Sequence, residues 1–259
     1  MLPDHLTPDL ALARRFLALH PPRGRVLTCG ITGSHHYGFP SPDSDIDIKA
    51  IHVSPTASRL GLSTPKDAHD RLMDFEGVEC DLTSNEVGQA LRLLLRGNGN
   101  VLERILSPLR VLDAPEAAEL RALATASLHR GFAGHYRGFF QGLQREFDKA
   151  GANRAKPLLY CYRVSLTGVH LLRTGELEAD LTVLAPRYGL PDVAALIEHK
   201  RTTAETVEVP PADVARHRAA WADLEQQLAD ARLSSPLPES APNRDAVEAW
   251  LVDLRLREL

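Results

Sequence analysis

The residues best suited to chemistry lie in one stretch near the start of the chain, ITGSHHYGFPSPDSDIDIKAIHV. Gly33 and Ser34 end an apolar run, and Asp45 and Asp47 open the next one. Because side chains alternate between the two faces of a strand, both aspartates point the same way. Two carboxylates on one face can hold a hard cation such as Mg²⁺, and a Gly-Ser turn offers N–H groups and a hydroxyl to a phosphate. These groups are typical of phosphoryl or nucleotidyl transfer.

A simpler interpretation makes the same stretch a turn followed by an edge strand with solvated aspartates. Asp47, however, lies inside an apolar run, where an ionised group is costly unless it is paired or metal-bound. Asp81, in the later run GVECDLT, adds the third carboxylate that a two-metal site needs, although it can also cap the following helix. Glu79 competes on the same strand face, and we expect it to be solvated. The expected catalytic and metal-binding set is Asp45, Asp47 and Asp81.

A polar stripe is predicted on a later, largely apolar helix. Its members recur at helical spacing: Lys156, Tyr160, Arg163, Thr167 and His170. We expect this helix to be packed on most sides and open along the stripe, which faces the metal site. Lys156 or Arg163 then contacts a triphosphate and Tyr160 a base or ribose; a plain solvent face is the alternative.

Two further groups of side chains admit more than one interpretation. Lys49 shares the strand face of Asp47, so it can neutralise the carboxylates, touch a phosphate, or act only as a salt-bridge partner. The histidines, arginines and aromatic residues between positions 129 and 140 can stack on a nucleic-acid end. An amphipathic core helix with a polar back explains the same residues, and we favour it.

The elements that must position these side chains divide into a strand-rich first part and a helical remainder. A helix capped by Thr7 is predicted at residues 7–20, and a mobile loop that orders over a ligand at residues 54–76. Asp113 is expected to cap a further helix. Strands are predicted at residues 25–32, 45–53 and 77–83, and helices from residue 85 and at residues 98–106, 115–150, 154–174, 191–203, 211–232 and 244–259.

This layout predicts an α+β protein with two domains. A small mixed-sheet domain is expected over residues 1–112, and a helical domain over residues 113–259 with a Pro- and Ser-rich linker near residues 234–243. We expect the chemistry to lie in a cleft between them.

Length and composition are those of an ordinary globular protein. The chain has 259 residues and a formal net charge of −4, so any contact with a nucleic acid must be local. Cys29, Cys80 and Cys161 lie far apart and are expected to be buried in a reducing compartment. The polar N-terminus and the lack of an apolar run of about 20 residues predict a cytoplasmic protein with no membrane partner.

Gly33-Ser34, the Asp45-x-Asp47 pair and the later Asp81 together resemble the signature of the nucleotidyltransferase superfamily related to DNA polymerase β. More narrowly, the chain resembles stand-alone bacterial predicted nucleotidyltransferases linked to RNA repair, the RlaP-like group. Residues 43–51 match that group's DSDxDxKGI run, with Ala50 where glycine is usual, and residues 97–103 match its GNxNxLE segment. The closer resemblance spans roughly residues 25–175.

The resemblance implies transfer of a nucleotide from an NTP, such as ATP, to a hydroxyl, with Mg²⁺ or Mn²⁺ as cofactor. It implies that Asp45 and Asp47 hold the metal on the triphosphate, and that Asp81 shares a second metal and helps to deprotonate the acceptor. Gly33 and Ser34 would grip the phosphates, with Lys49 and the polar stripe nearby.

The acceptor implied by the resemblance is an RNA or tRNA end. A protein or small-molecule hydroxyl is an alternative acceptor, and an inactive nucleotide-binding sensor is an alternative function. Arg163 and His170 also have the Arg-x6-His spacing of helical RNase-like domains, which would predict RNA cleavage without an NTP.

Overall fold

A computed structural model describes residues 6–149, 151, 153–202 and 209–259. The chain divides into two compact units. The sheet unit comprises Pro8–Gly33, Asp45–Leu128 and Ser240–Leu259, and the helical unit contains Ser34–Ser44 and His129–Glu239. The division therefore differs from the single cut expected after residue 112, because an early segment belongs to the helical unit and the C-terminal segment to the sheet unit.

A five-stranded sheet, with strand order β3-β4-β2-β1-β5, forms the centre of the sheet unit. β2 and β4 are parallel, and the other neighbouring pairs are antiparallel. Together with the helices, this mixed sheet confirms the predicted α+β class. The strands are β1 (Arg25–Ile31), β2 (Ile46–Val53), β3 (Ala68–Phe75), β4 (Val78–Glu86) and β5 (Arg110–Asp113).

Helices make up most of the remaining structure. None in the described part of the chain is long and apolar enough to cross a membrane. In chain order they are α1 (Leu10–Leu19), α2 (Gly33–His36), α3 (Val87–Leu94), α4 (Gly99–Leu106), α5 (Ala117–Ala126), α6 (Phe132–Lys149), α7 (Ala155–Thr174), α8 (Leu181–Arg187), α9 (Pro191–Arg201), α10 (Pro211–Leu233) and α11 (Arg244–Arg257).

The two faces of the sheet have different roles. On one face, Ile48 of β2 and Leu82 of β4 join Phe16 of α1 in a buried apolar core. Since side chains alternate along a strand, Asp47 and Lys49 point to the other face. Helix α3 packs against β2 and β4, and helix α4 packs against β1 and β2. The alternation in β2 thus separates the core from the candidate chemistry.

Residues 54–76 do not form the mobile loop that the sequence predicts. They contain a 3-10 helix, Thr56–Arg59, and the whole of β3. β3 is an edge strand whose residues are almost all exposed, so it lacks the apolar alternation that marks a strand. Glu76 and Gly77 join it to β4 with φ angles of 54° and 82°, a turn suited to a tight hairpin.

Two predicted helix caps are wrong. Asp9, and not Thr7, caps α1, because its Oδ1 accepts from the N–H groups at the second and third helical positions. Asp113 ends β5, where it accepts a hydrogen bond from the Thr28 hydroxyl at 2.8 Å and pairs with Arg121 at 2.9 Å. A short strand pairing with β1 therefore uses the carboxylate that the sequence assigned to a cap.

The predicted helix at residues 115–150 is divided into α5 and α6, and the short helix α8 is absent from the prediction. Residues 150 and 203, at the predicted ends of two helices, lie outside the described residues. The Pro- and Ser-rich segment between α10 and α11 has neither helix nor strand, as predicted.

Helix α7 is the centre of the helical unit, with α6, α8, α9 and α10 packed on it. Gly168 makes the close approach possible. A Cβ atom at this position would lie 2.7 Å from the Cβ of Tyr136 on α6 and 2.9 Å from the Cδ1 of Leu228 on α10. Only glycine therefore lets these three helices meet at this depth.

Candidate active site

Asp47 and Asp81 are direct neighbours on the parallel strands β2 and β4. Lys49 lies on the same face, and its Nζ is 2.6 Å from Asp81 Oδ2 and 3.1 Å from Asp47 Oδ1. All three side chains are partly exposed. The sheet register thus brings together two carboxylates far apart in the sequence and joins them through one ammonium group.

Gly33 is fitted closely to Asp47. It has a φ of +63°, and a Cβ atom there would lie 1.7 Å from Asp47 Oδ2. The preceding residue, Thr32, donates its backbone N–H to the Asp47 carbonyl at 2.9 Å. Glycine is therefore required for two separate reasons, the backbone conformation and the space that the carboxylate occupies.

Asp45 comes one residue before β2 and is partly exposed. Across the described residues, no group of three or more His, Cys, Asp or Glu side chains is arranged to hold a metal ion. The arrangement is instead a carboxylate pair with a lysine between its members and a third carboxylate two residues upstream. Carboxylate oxygens are the donors that Mg²⁺ and Mn²⁺ take, so this donor set fits such an ion chemically.

Arg104 of α4 is a cation on the carboxylate face that sequence reasoning missed. It donates to the Oδ1 of Asn85, which follows Asp81 on the same side of β4. Burial lowers the pKa of Arg104 to about 10, while the charges of Asp70 and Asp81 oppose that shift. Its Nε is buried without a hydrogen-bond partner in the described part of the chain. Its one sequence signal is its position directly after the GNGNVLE segment.

Ser34 belongs to the helical unit and is 2% exposed. Its hydroxyl has no hydrogen-bond partner among the described residues, so a buried polar atom is left unsatisfied. Three residues later, the backbone carbonyl of Tyr37 accepts a hydrogen bond from the backbone N–H of Leu181 at 2.9 Å. At Gly38 a Cβ atom would meet the carboxylate of Asp180 at 2.1 Å. The segment that carries Ser34 is therefore held against α8 in its own unit.

The predicted polar stripe of α7 is not an open face along its length. Lys156 and Tyr160 are partly exposed, but Arg163, Thr167 and His170 are buried. The guanidinium of Arg163 lies 3.9 Å from the centre of the Tyr37 ring, in cation–π contact. Tyr160 packs edge-on against the rings of Tyr37 and Phe39. The middle of the stripe therefore anchors the Ser34–Ser44 segment.

His170 does not have the setting of a nuclease residue. It is 2% exposed, and its Nδ1 lies 3.1 Å from the Tyr188 hydroxyl. Burial also lowers its pKa. A histidine enclosed in this way cannot reach an RNA strand in the described conformation, which argues against the RNase-like alternative.

Aromatic residues around position 132 form part of the core of the helical unit, whereas Arg137 is exposed. Phe132, Tyr136 and Phe140 are buried on one side of α6. Arg130 donates to the carbonyl oxygens of Ser235 at 2.7 Å and Leu237 at 2.9 Å. These contacts support the amphipathic-core interpretation over a stacking surface for a nucleic-acid end.

All three cysteines are buried and free, as predicted. Burial raises the pKa of Cys29 to about 12 and that of Cys80 to about 11, and it also raises the pKa of Cys161. The thiols are therefore protonated at neutral pH and contribute to packing.

A family model decides which family this is. The model of the RNA repair pathway DNA polymerase beta family (RlaP) matches residues 14–253. The chain belongs to this family. The RlaP resemblance predicted from the sequence is confirmed, and the match extends beyond the span of residues 25–175 to include α8, α9, α10 and most of α11.

Two known proteins are similar to this member of the RlaP family. The uncharacterized protein MJ0002 of Methanocaldococcus jannaschii is 30% identical over 152 residues, which are 59% of this chain and 62% of that protein. This chain thus aligns with less than two thirds of that relative. The crystal structure of a nucleotidyltransferase-like protein from Exiguobacterium sibiricum is 15% identical and covers 86% of this chain and 75% of its own. Its TM-score of 0.35 is too low to support an argument from shape.

Proposed function

We propose that this chain is a metal-dependent nucleotidyltransferase that moves a nucleoside monophosphate from an NTP to a hydroxyl at an RNA end, with pyrophosphate as the leaving group. The observation that carries the proposal is the pairing of Asp47 with Asp81 across β2 and β4, with Gly33 fitted against Asp47. Membership of the RNA repair pathway DNA polymerase beta family supports both the reaction and the acceptor.

Asp45, Asp47 and Asp81 are the residues that would hold Mg²⁺ or Mn²⁺. A bound metal supplies charge neutralisation at the triphosphate and lowers the pKa of a hydroxyl. Asp81 is adjacent to Asp47 in the sheet, so it is the carboxylate that we assign to accepting the proton of the acceptor hydroxyl.

Lys49 holds the carboxylate pair at a fixed separation by contacting both of its members. We assign Ser34 to the phosphates of the NTP, because its buried hydroxyl lacks a protein partner in the described residues. Backbone N–H groups at Gly33 and Ser34 would complete that contact. The assignment of nucleotide contacts to Lys156, Tyr160 and Arg163 stays a prediction.

The test is transfer of label from each α-³²P-labelled NTP to a mixed RNA pool, with Mg²⁺ or Mn²⁺. Asp47→Asn and Asp81→Asn should each reduce transfer by at least about 100-fold, because each removes charge from the reacting centre. Glu79→Gln is the matched control. Glu79 is exposed and lies two residues from Asp81 on β4, so its variant should transfer label as the wild type does.

Each other outcome identifies a different function. Label on a protein or a small molecule, and not on RNA, would replace the proposed acceptor. Metal-dependent NTP binding without transfer to any acceptor would favour a nucleotide sensor. An absence of NTP binding, or equal activity in wild type and both Asp variants, would contradict the proposal.

A further inference from the structure

A polar pocket of about 560 Å³ lies in the sheet unit, beside the edge strand β3. His52 of β2 is bonded to Ser84 of β4, Nδ1 to Oγ at 2.7 Å. Each lies an odd number of residues from the aspartate on its own strand, so its side chain points to the opposite face of the sheet. The pocket that His52 lines therefore lies on the face opposite the carboxylates. Its polar lining residues are Arg23, His52, Lys66, His69, Asp70 and Arg71.

The pocket carries an excess of positive charge. Arg23, Lys66 and Arg71 are exposed, and none of them forms an ion pair within the described residues. Asp70 is the one carboxylate among the described residues that line the pocket. In a chain with a net charge of −4, three unpaired cations around one pocket make a local attraction for anions. Arg59, by contrast, forms an ion pair with Asp67 at 2.5 Å.

The two histidines add neutral hydrogen-bonding groups to these cations. Burial lowers the pKa of His52 to about 4 and also lowers the pKa of His69. Both are uncharged at neutral pH, where each ring carries one N–H donor. The Nε2 of His69 is buried and has no hydrogen-bond partner in the described part of the chain. A phosphate oxygen would satisfy this atom if Nε2 carries the ring proton.

We propose that this pocket binds backbone phosphates of the RNA strand that serves as acceptor. The proposal rests on the proposed function for the RNA acceptor. The described lining contains no Phe, Tyr or Trp on which a base would stack, so the chemistry favours the phosphodiester backbone over a nucleobase. Such a contact is independent of RNA sequence and positions the strand.

The place of the pocket in the sheet suits this role. Arg71 and Asp70 are consecutive on the edge strand β3, so they lie on its two sides. Leu72 of β3 pairs with Asp81, which is therefore one strand, or about 5 Å, in from the edge. An RNA strand held at Arg71 thus has a short path around the sheet edge to the carboxylate face.

The test measures binding of a fluorescein-labelled 20-nucleotide RNA of mixed sequence by anisotropy, without NTP or divalent metal. The variant is Arg23→Gln/Lys66→Gln/Arg71→Gln, and the matched control is Arg96→Gln/Arg145→Gln/Lys149→Gln. The control removes the same charge from exposed positions outside the pocket. A plot of the logarithm of RNA affinity against the logarithm of salt concentration has a negative slope, and each phosphate contact contributes about 0.7 to its magnitude for a single strand. Loss of three contacts should therefore reduce the magnitude of this slope by about 2 in the pocket variant. Between 50 and 200 mM salt, wild-type affinity should fall about 18-fold more than that of the variant.

Equal effects of the two triple variants would overturn the proposal in favour of general charge attraction, and so would a wild type that does not bind the RNA. Competition by inorganic phosphate and by ATP, both without metal, separates the ligand sources. If binding of phosphate or ATP depends on the pocket cations and binding of RNA does not, the ligand is a free phosphate compound and the RNA proposal is wrong.

Two further measurements keep the result independent of folding and of the proposed function. Circular dichroism confirms the fold of each variant, and the single variants Lys66→Gln and Arg71→Gln should each lose about 0.7 from the slope if the triple variant is unstable. Normal RNA binding without label transfer in the wild type would reject the proposed function and leave the pocket intact.

Discussion

Replacement of Gly33 by alanine should test the candidate site with a single methyl group. Two effects act together at this position. The backbone has a φ of +63°, and the new Cβ atom would lie 1.7 Å from Asp47 Oδ2. Because real Cβ contacts essentially never fall below 3.0 Å, the carboxylate must retreat by more than 1 Å or the turn must move.

The two effects predict different magnitudes. The left-handed backbone conformation costs an alanine about 1 kcal/mol of folding stability. Displacement of a reacting group by about 1 Å costs about 100-fold in rate. We therefore expect Gly33→Ala to lose more than about 1 kcal/mol of folding stability, because the clash with Asp47 adds to the backbone cost, and to transfer nucleotide about 100-fold more slowly.

Gly77→Ala separates these contributions. Gly77 has a similar φ of +82°, but a Cβ atom there would meet nothing within 4 Å. The assays are urea unfolding and label transfer from an α-³²P-labelled NTP. Both variants should lose about 1 kcal/mol from the backbone conformation, whereas only Gly33→Ala should lose activity.

A double variant provides the refutation. Asp47→Ala removes the atom that the Gly33→Ala methyl group would strike, so the stability cost of Gly33→Ala should fall to about 1 kcal/mol in that background. If Gly33→Ala is as active as the wild type, or if its cost is the same with and without the Asp47 carboxylate, the close fit between the two residues is wrong.

Three further changes address the charges of the sheet unit. Lys49→Met leaves the paired carboxylates without their cation, so without divalent metal its free energy of unfolding should fall by about 1 kcal/mol; Mg²⁺ should then raise its Tm more than that of the wild type. Glu86→Gln removes a buried carboxylate that contacts two arginines, so urea unfolding should show a loss of about 3 kcal/mol, and no loss would contradict the assignment. Burial lowers the pKa of His52 to about 4, so the unfolded state binds more protons between about pH 6.5 and pH 4. The free energy of unfolding should therefore decrease by up to about 3 kcal/mol as the pH is lowered through that window. His52→Gln should make the free energy of unfolding, measured with urea, less dependent on pH.

The sequence predicted the position of Asp47 within β2 better than it predicted the sheet as a whole. Apolar alternation in β2 is strong because its core face is fully buried, and this placed Asp47 opposite the core. β3 has no such alternation, and β5 has four residues, so neither gave a periodic signal. The fold class survived their omission because β1, β2 and β4 are the inner strands of the sheet.

The helical unit shows the converse limitation. Spacing correctly placed Arg163 and His170 on one side of α7, but spacing cannot show what covers that side. The cover comes from distant parts of the chain, namely Tyr37 over Arg163 and Tyr188 beside His170. A polar stripe on an apolar helix is therefore compatible with burial when aromatic residues supply the contacts.

The carboxylate pair depends on strand register, which one sequence does not contain. A shift of β4 by one residue would place Cys80 or Leu82 beside Asp47 and turn Asp81 to the core face. Lys49 opposes such a shift, because its ammonium group contacts both carboxylates only in the observed register. A cation supplied by the chain also reduces the repulsion between two carboxylates that the paired strands bring together. If the site binds a divalent cation as we propose, the lysine that reduces repulsion between the carboxylates would share them with that cation. Its contacts would then influence both the register of the sheet and the apparent metal affinity of the site.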